Sequence, residues 1–274
     1  YGFANYNAKT GLVKLLPRAF LYYQAAAKKT DYDNVFISSK MTSGFNASLN
    51  LDSMYLNING IKKFWVTADF KASITPVNGK VSLRENRDII FDGALALGTF
   101  EYKGQNFEFD YTNFIIDLPQ IDSIAIRLPS SDGLYSKLQN RITETKGKVY
   151  LNEPSNRSGN KVYEKYPYFI SDSESTVYFS QPEILDGVYD SSIIFIIAPI
   201  EINGFNSDNT ANLIFPGIFN SGGIFPNFED SLLIMEDQSL GFVHNIPKEG
   251  YNLYGTSSKT YETITLNNGG LRGT

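Results

Sequence analysis

Apolar and polar residues alternate along most of the chain, and a period of two is that of a strand with one buried face. Segment 107–111, which reads FEFDY, shows the alternation most clearly. Segments 47–51, 55–58 and 80–83 follow the same pattern. Asn-Gly dipeptides, which accept the positive φ of tight turns, occur between such stretches. The pattern predicts an all-β protein of short strands.

One apolar run has no alternation. Residues 193–197 read IIFII, and a strand without polar positions is typical of one that is covered on both faces. We therefore expect this strand to be buried on both sides.

Two segments carry helical signals instead. Pro17 fits the first position of a helix, and residues 18–29 continue with good helix formers and a basic end. Ser131 can cap a second helix over 131–142. The residues that would share one face of this helix are Leu134, Leu138 and Ile142.

One pattern occurs twice. Segment 89–98 reads IIFDGALALG and segment 213–222 reads LIFPGIFNSG, so both contain F-x-G-x4-G. A repeated unit usually marks a structural module that was used twice. We expect Phe and the first Gly of each copy to be equivalent core and bend positions. The repeat positions are Phe91, Gly93, Gly98, Phe215, Gly217 and Gly222.

The glycine spacing suggests the architecture. Gly93, Gly98 and Gly104 follow one another too closely for hairpins of full-length strands. We predict two tandem modules of short strands, in solenoid-like or strongly bent stacked sheets, with two β-sandwiches as the alternative. The predicted divisions are a helical lead-in over 1–34, a first β module over 35–130, a linker helix over 131–144 and a second β module over 145–274.

Composition excludes several functional classes. The 274 residues carry a formal net charge of −5 and no cysteine. Nucleic-acid binding needs clustered Lys and Arg, so no nucleic-acid partner is predicted. Without cysteine, disulfides, thiol catalysis and Cys zinc sites are excluded. No stretch reaches the roughly 18 apolar residues of a transmembrane helix.

Candidate catalytic chemistry is sparse. His244 is the only histidine and is predicted to be an ordinary surface or turn residue. The acidic pairs at 229–230 and 236–237 flank a probable strand at 231–235, and their charges are interpreted as solvated turn or edge-strand charge. We predict no catalytic residue.

Calcium is the only cofactor for which the sequence offers candidate ligands. Asp31 and Asp33 offer oxygens at alternate positions, as calcium loops do, but the segment lacks the Gly and the distal Glu of an EF-hand. They are the candidate metal ligands, and no other cofactor is predicted.

Tyr163, Tyr166 and Tyr168 form the candidate ligand-binding group. They lie close together in a segment that contains Lys and Pro. Exposed ring faces can stack on sugar rings, so these residues suggest a glycan site. The alternative is that they pack under a long loop.

Several short segments resemble segments of a family of very large β-rich envelope and surface proteins of Bacteroidota. The likeness covers about 35–274. It rests on segments 85–93, 98–100, 107–111, 146–154, 224–226, 236–242 and 270–273, and on Gly159. The resemblance implies an internal piece of a β-rich, secreted or envelope-associated protein that runs on at both ends. It supplies no catalytic residues to carry over.

The expected function is therefore that of a non-enzymatic structural segment of a larger bacterial cell-envelope or surface protein. Its expected partners are other segments of its own longer chain and envelope proteins, and its expected location is extracytoplasmic. The alternatives are a glycan-binding or glycan-cleaving domain and a calcium-stabilised adhesion module.

Overall fold

The computed structural model describes residues 35–67, 72–129, 135–182, 184–203, 205 and 213–273, with the backbone of three further strands between residues 4 and 24. The protein is all-β, which confirms the prediction from alternation, and its strands form a large antiparallel sheet. Within these residues no helix has the length and hydrophobicity needed to cross a membrane.

The first twelve strands precede residue 130. They are β1 Ala4–Asn7, β2 Leu12–Leu15, β3 Leu21–Gln24, β4 Phe36–Ser39, β5 Ala47–Asn50, β6 Tyr55–Ile58, β7 Phe64–Trp65, β8 Ala72–Pro76, β9 Val81–Leu83, β10 Ile89–Leu97, β11 Phe100–Asp110 and β12 Ile115–Pro129.

Fourteen more strands follow. They are β13 Tyr135–Lys137, β14 Ile142–Thr143, β15 Thr145–Tyr150, β16 Tyr168–Ser171, β17 Ser175–Tyr178, β18 Ile193–Ile197, β19 Glu201–Ile202, β20 Ile214–Ser221, β21 Phe228–Ile234, β22 Leu240–Asn245, β23 Tyr251–Asn252, β24 Lys259–Thr260, β25 Thr263–Asn267 and β26 Gly270–Gly273. The helical elements described are three short 3₁₀ turns, at Val77–Gly79, Pro154–Asn156 and Leu185–Gly187.

Both predicted helices are wrong where the structure describes them. Strand β3 lies inside the predicted helix over 18–29, whose other residues lie outside the described part. Strands β13 and β14 lie inside the predicted linker helix over 131–144. Leu138 and Ile142 are buried, but so is Asn140 between them. A spacing of four residues fits one helix face and also two strand periods, and the strand prevails here.

The chain divides into two compact units, and each draws on several chain segments. Unit 1 comprises residues 1–122, 146–170 and 201–206. Unit 2 comprises residues 123–145, 171–200 and 207–274.

Unit 1 is organised around β10, where two antiparallel ladders meet. One ladder runs through β1, β2, β5, β6 and β9 to β10. The other runs through β3, β4, β7 and β8 to β10. Strand β10 pairs with β9 at Ile89 and Ile90 and with β8 from Gly93 to Leu97. It therefore changes neighbour at Gly93, as strands do at bulges and bends.

Gly93 is required by the backbone at this corner. Its φ is +144°, and an ideal Cβ would lie 2.4 Å from the carbonyl oxygen of Thr75. The register with β11 shifts between Phe91 and Gly93, which is a β-bulge. Gly93 pairs with Gly104 across the β10–β11 hairpin, whose turn contains Gly98. The close glycine spacing thus belongs to one hairpin with strands of nine and eleven residues, so the prediction of only short strands there is wrong.

Unit 2 is an antiparallel meander. Its ladder runs from β17 through β18, β20, β21, β22 and β25 to β26. Strands that are hairpin neighbours pair with each other, whereas a solenoid pairs equivalent strands of successive coils. The solenoid-like architecture is therefore wrong for the described residues.

Strands β10 and β20, which carry the two copies of the repeat, share their pairing on one side only, because β10 has a bulge beside β11 whereas β20 pairs with β21 in a continuous register. Residues 93–97 pair with residues 76–72 of β8, and residues 217–221 pair with residues 197–193 of β18. In both copies the ladder on this side begins at the first Gly. The second Gly, Gly98 or Gly222, has a positive φ in the turn that follows the strand.

Both units have aromatic cores. In unit 1, Phe91 packs edge-on against Phe107 with ring centroids 5.5 Å apart. In unit 2, Phe219 lies 4.9 Å from Phe242. Such ring pairs stabilise a fold by more than the burial of their apolar area alone.

One face of unit 2 carries several partly exposed apolar side chains. In β18, Ile193, Phe195 and Ile197 are buried, but Ile194 and Ile196 are only half-buried. The prediction that this strand is buried on both sides is therefore wrong. We use "outward face" for Ile194, Ile196, Ile214, Pro216, Ile218 and Leu233.

Candidate functional site

The only histidine of the chain lies in a polar cluster at one end of the unit 2 core. Asp230 lies on β21, His244 on β22 and Tyr251 on β23. Leu233 pairs with Gly241, and continuing this antiparallel register brings Asp230 beside His244. We call Asp230, His244, Tyr251 and the adjoining Phe225 and Phe228 the His244 cluster.

Both ring nitrogens of His244 have partners. Nδ1 lies 2.7 Å from Oδ2 of Asp230, and Nε2 lies 3.0 Å from the hydroxyl of Tyr251. In the neutral tautomer that satisfies both contacts, Nδ1–H donates to the carboxylate and Nε2 accepts from the Tyr251 hydroxyl. The imidazole side chain is 14% exposed.

An aromatic ring stacks on the imidazole. Phe228 stacks on His244 with centroids 3.7 Å apart and an interplanar angle of 15°. Tyr251 is nearly parallel to both rings. Phe225 continues this set of parallel planes beside Phe228. The ring of His244 is thus fixed in orientation by stacking as well as by hydrogen bonds.

The Asp–His–hydroxyl order is that of a general-base relay. Burial, followed by the negative charge of Asp230, raises the pKa of Tyr251. The hydroxyl is consequently held in its protonated form, in which it can donate to Nε2 of His244. The three side chains thus tie β21, β22 and β23 together.

The sequence does not reveal this cluster. His244 was predicted to be a surface or turn residue, yet it is half-buried on a strand. Its partner Asp230 is fourteen positions away, and only the pairing of β21 with β22 brings them together. The alternation in β22 is the one local signal, since it puts His244 on the same side as Phe242.

Asp237 of the acidic pair at 236–237 stabilises a turn. Asp237 lies just beyond β21, where its Oδ1 accepts from the backbone N–H of Ser239 and its Oδ2 accepts from that of Asn268. Such bonds are the usual role of Asp in turns.

The three candidate glycan-binding tyrosines do not share a flat surface. Tyr163 is 37% exposed, whereas Tyr168 is 7% exposed and stacks on Tyr150 at 4.5 Å. Tyr163 meets Tyr166 edge-on with planes 72° apart. The ammonium of Lys165 lies 4.3 Å from the ring centroid of Tyr168. A sugar ring could therefore stack on Tyr163 but not on the three rings together.

The segment around these tyrosines is held in place by its own side chains. The hydroxyl of Tyr166 donates to Oε1 of Glu153 at 3.1 Å. Burial, followed by this hydrogen bond, raises the pKa of Tyr166. Asn156 is buried and donates to Oδ1 of Asn152 and to the carbonyl of Lys161.

The repeat positions lie in strands and turns. Phe91 is 2% exposed and Phe215 is 1% exposed. An ideal Cβ on Gly217 would lie 2.0 Å from the carbonyl oxygen of Ile196 and 2.6 Å from a ring atom of Phe195. Gly217 therefore lets a neighbouring strand and ring approach closely.

Metal binding has no geometric support in the described ranges. No group of three or more His, Asp or Glu side chains among them could hold a metal ion. The candidate ligands Asp31 and Asp33 lie outside the described residues, so calcium binding there stays a prediction.

Two cavities stand out. A groove of about 510 Å³ in unit 1 is lined by Asp92, Gly93, Lys103 and neighbouring residues. A pocket of about 320 Å³ in unit 2 lies beside the His244 cluster and shares Phe225 with it.

No family model matches the chain, and neither curated proteins nor solved structures include a match to it.

Proposed function

We propose that this chain is a non-enzymatic structural segment of a larger bacterial cell-envelope or surface protein. Its partners are other segments of the same longer chain or envelope proteins, and its location is extracytoplasmic. The two strands that carry F-x-G-x4-G mark the centres of its two modules in this proposal.

The partly exposed outward face of unit 2 carries the proposal. Ile214 is 59% exposed, Ile218 is 42% exposed and Leu233 is 38% exposed. Ile214, Pro216 and Ile218 alternate onto one face of β20. Ile218 pairs with Ile196 and Ile214 with Leu233, while Ser231 and Glu229 of β21 stand opposite Pro216 and Ile218. Contiguous exposed apolar surface marks an interaction site in a soluble protein.

The sequence of β18 supports the same conclusion. A run such as IIFII is typical of a strand covered on both faces, but only one face is covered by the residues described here. A second layer that packs on Ile194 and Ile196 would complete the burial. A structural role for this face accounts for that composition without any catalytic group.

Site-specific photo-cross-linking tests the proposal. A photoreactive phenylalanine analogue is placed at Ile218 in the full-length protein within its cell, and cross-linked peptides are identified by mass spectrometry. We expect adducts to other segments of the same chain or to envelope proteins. The matched control site is Thr256, an exposed turn residue that is not part of the outward face, where we expect few adducts.

A charge variant sharpens the test. Ile214→Lys removes an exposed apolar contact while leaving the core intact, so we expect it to abolish the adducts formed from position 218. Adducts that persist in this variant, or none in the unmodified protein, would contradict a packing role for this face.

Calcium-stabilised adhesion is tested separately. A ligand that binds only the folded state raises its stability. If calcium binds at Asp31 and Asp33, adding it raises the melting temperature of the chain, and Asp31→Asn removes that increase. An unchanged melting temperature would remove this alternative.

A further inference from the structure

We infer that the 320 Å³ pocket of unit 2 is a binding site for one ring of a neutral saccharide. The pocket lies between the turn after β20, the β23–β24 hairpin and strands β25 and β26. Its volume is near the lower end of ligand pockets, about 300–1,000 Å³, which suits a single sugar unit. This site is separate from the tyrosines at 163–168 and goes beyond the structural role proposed above.

The walls of the pocket are held by hydrogen bonds from backbone N–H groups. The N–H of Tyr254 donates to the carbonyl of Ile224 at 2.8 Å, which ties the hairpin to the turn. The N–H of Leu271 donates to the hydroxyl of Tyr189 at 2.7 Å. A cavity whose sides are fixed in this way needs little reorganisation on binding.

None of the described residues that line the pocket carries a charged side chain. A charged ligand would have to leave water without an opposite charge to pair with, which is costly. The described lining residues therefore favour an uncharged ligand.

Aromatic and hydroxyl groups meet in the pocket. Phe225 is one wall and is braced from behind by Phe228. Tyr254 lines the pocket and is 71% exposed, so its ring can cover a bound ligand. The hydroxyl of Tyr189 accepts from the backbone and can still donate its own proton, and Thr260 adds a second hydroxyl. A pyranose ring matches both features, because its C–H face is apolar and its edge carries hydroxyl groups.

Ligand-observed NMR tests the site. The probes are cellotetraose, maltotetraose and N-acetylchitotetraose, each at about 5 mM, well above a weak Kd of about 1 mM. We expect saturation transfer to at least one of them. A hyaluronan tetrasaccharide, which is charged, should show none.

Two variants test whether the ring of Tyr254 contacts the bound sugar. Tyr254→Ala should weaken binding by up to about tenfold, because that factor corresponds to the contribution of one ring contact to the free energy of binding. Tyr261→Ala is the matched control, because Tyr261 is also an exposed tyrosine just beyond the same hairpin but does not line the pocket. Equal losses in both variants would show non-specific surface stacking and overturn the inference.

A third variant separates a sugar from a simple aromatic ligand. Thr260→Val keeps the shape of the side chain and removes its hydroxyl, so it should weaken the oligosaccharide several-fold and leave binding of p-cresol unchanged. Binding of p-cresol alone, or of none of the probes, would overturn the assignment to a saccharide.

Discussion

Nδ1 of His244 lies 2.7 Å from the carboxylate of Asp230, and this contact joins strands β22 and β21. Asp230→Ala removes the acceptor and leaves a half-buried ring nitrogen without its partner. We expect the free energy of unfolding to fall by about 1–2 kcal/mol, within the range for an orphaned polar group. Urea denaturation followed by circular dichroism measures it.

The neighbouring carboxylate is the control for this prediction. Glu229 is exposed on the same strand, and surface substitutions usually change stability by less than about 0.5 kcal/mol. Equal small losses for Glu229→Ala and Asp230→Ala would show that the His244 cluster contributes little to the fold.

The buried phenylalanines of the repeat should be costly to remove. Phe91→Ala and Phe215→Ala each leave a cavity in a core, and we expect losses of about 3–5 kcal/mol. Trp65, the only tryptophan, belongs to unit 1, so its fluorescence follows the effect of Phe91→Ala. Circular dichroism follows both variants.

Ile214→Ala is the control beside Phe215. Ile214 precedes it in β20 but is 59% exposed, so its truncation should cost little. A loss below about 1 kcal/mol for either phenylalanine would show that the surrounding core collapses into the space.

Local periodicity predicted the fold class but not the partners of each strand. Alternation identified β11 correctly, because a period of two is a property of the strand itself. The spacing of Leu138 and Ile142 was compatible with helix and strand alike, and pairing with the rest of the sheet decided between them. The apolar run in β18 predicted burial on both faces, but burial depends on whether another layer covers the strand.

Sites formed across strands were harder to predict. The repeat identified Gly93 as a bend, because positive φ and close backbone approach leave a local signature in the choice of Gly. The contact between His244 and Asp230 has no such local signature in the sequence, since it follows from the register of two paired strands. The pocket beside Phe225 likewise combines residues from several chain segments.

The hydroxyl of Tyr102 is buried and has no hydrogen-bond partner within the described structure. Tyr102 is fully buried in unit 1, where its ring lies 5.0 Å from Phe169. Tyr102→Phe keeps the ring and removes the unpaired polar atom. We expect unit 1 to become more stable by about 1 kcal/mol, because burying an unpaired hydroxyl is unfavourable.

Tyr251→Phe is the matched control for Tyr102→Phe. The hydroxyl of Tyr251 is bonded to His244, so its removal should lower stability by about 1 kcal/mol. Urea denaturation of both variants gives the comparison. A clear loss of stability in Tyr102→Phe would mean that its hydroxyl does have a partner.

Alkaline pH should destabilise the fold through Tyr166. Burial and the hydrogen bond to Glu153 raise its pKa above the ordinary value of 10.0. The stabilisation that comes from protonated Tyr166 is fully present below about pH 10. It is lost as the pH rises towards the pKa of Tyr166 in the folded protein, because the unfolded chain releases this proton first.

Tyr166→Phe removes the titrating group and should make the fall in unfolding free energy with pH shallower. Glu153→Gln removes the adjacent charge, keeps the phenol and should act in the same direction. Urea denaturation at a series of pH values above 9 measures these slopes, and equal slopes for all three proteins would exclude Tyr166 as the cause.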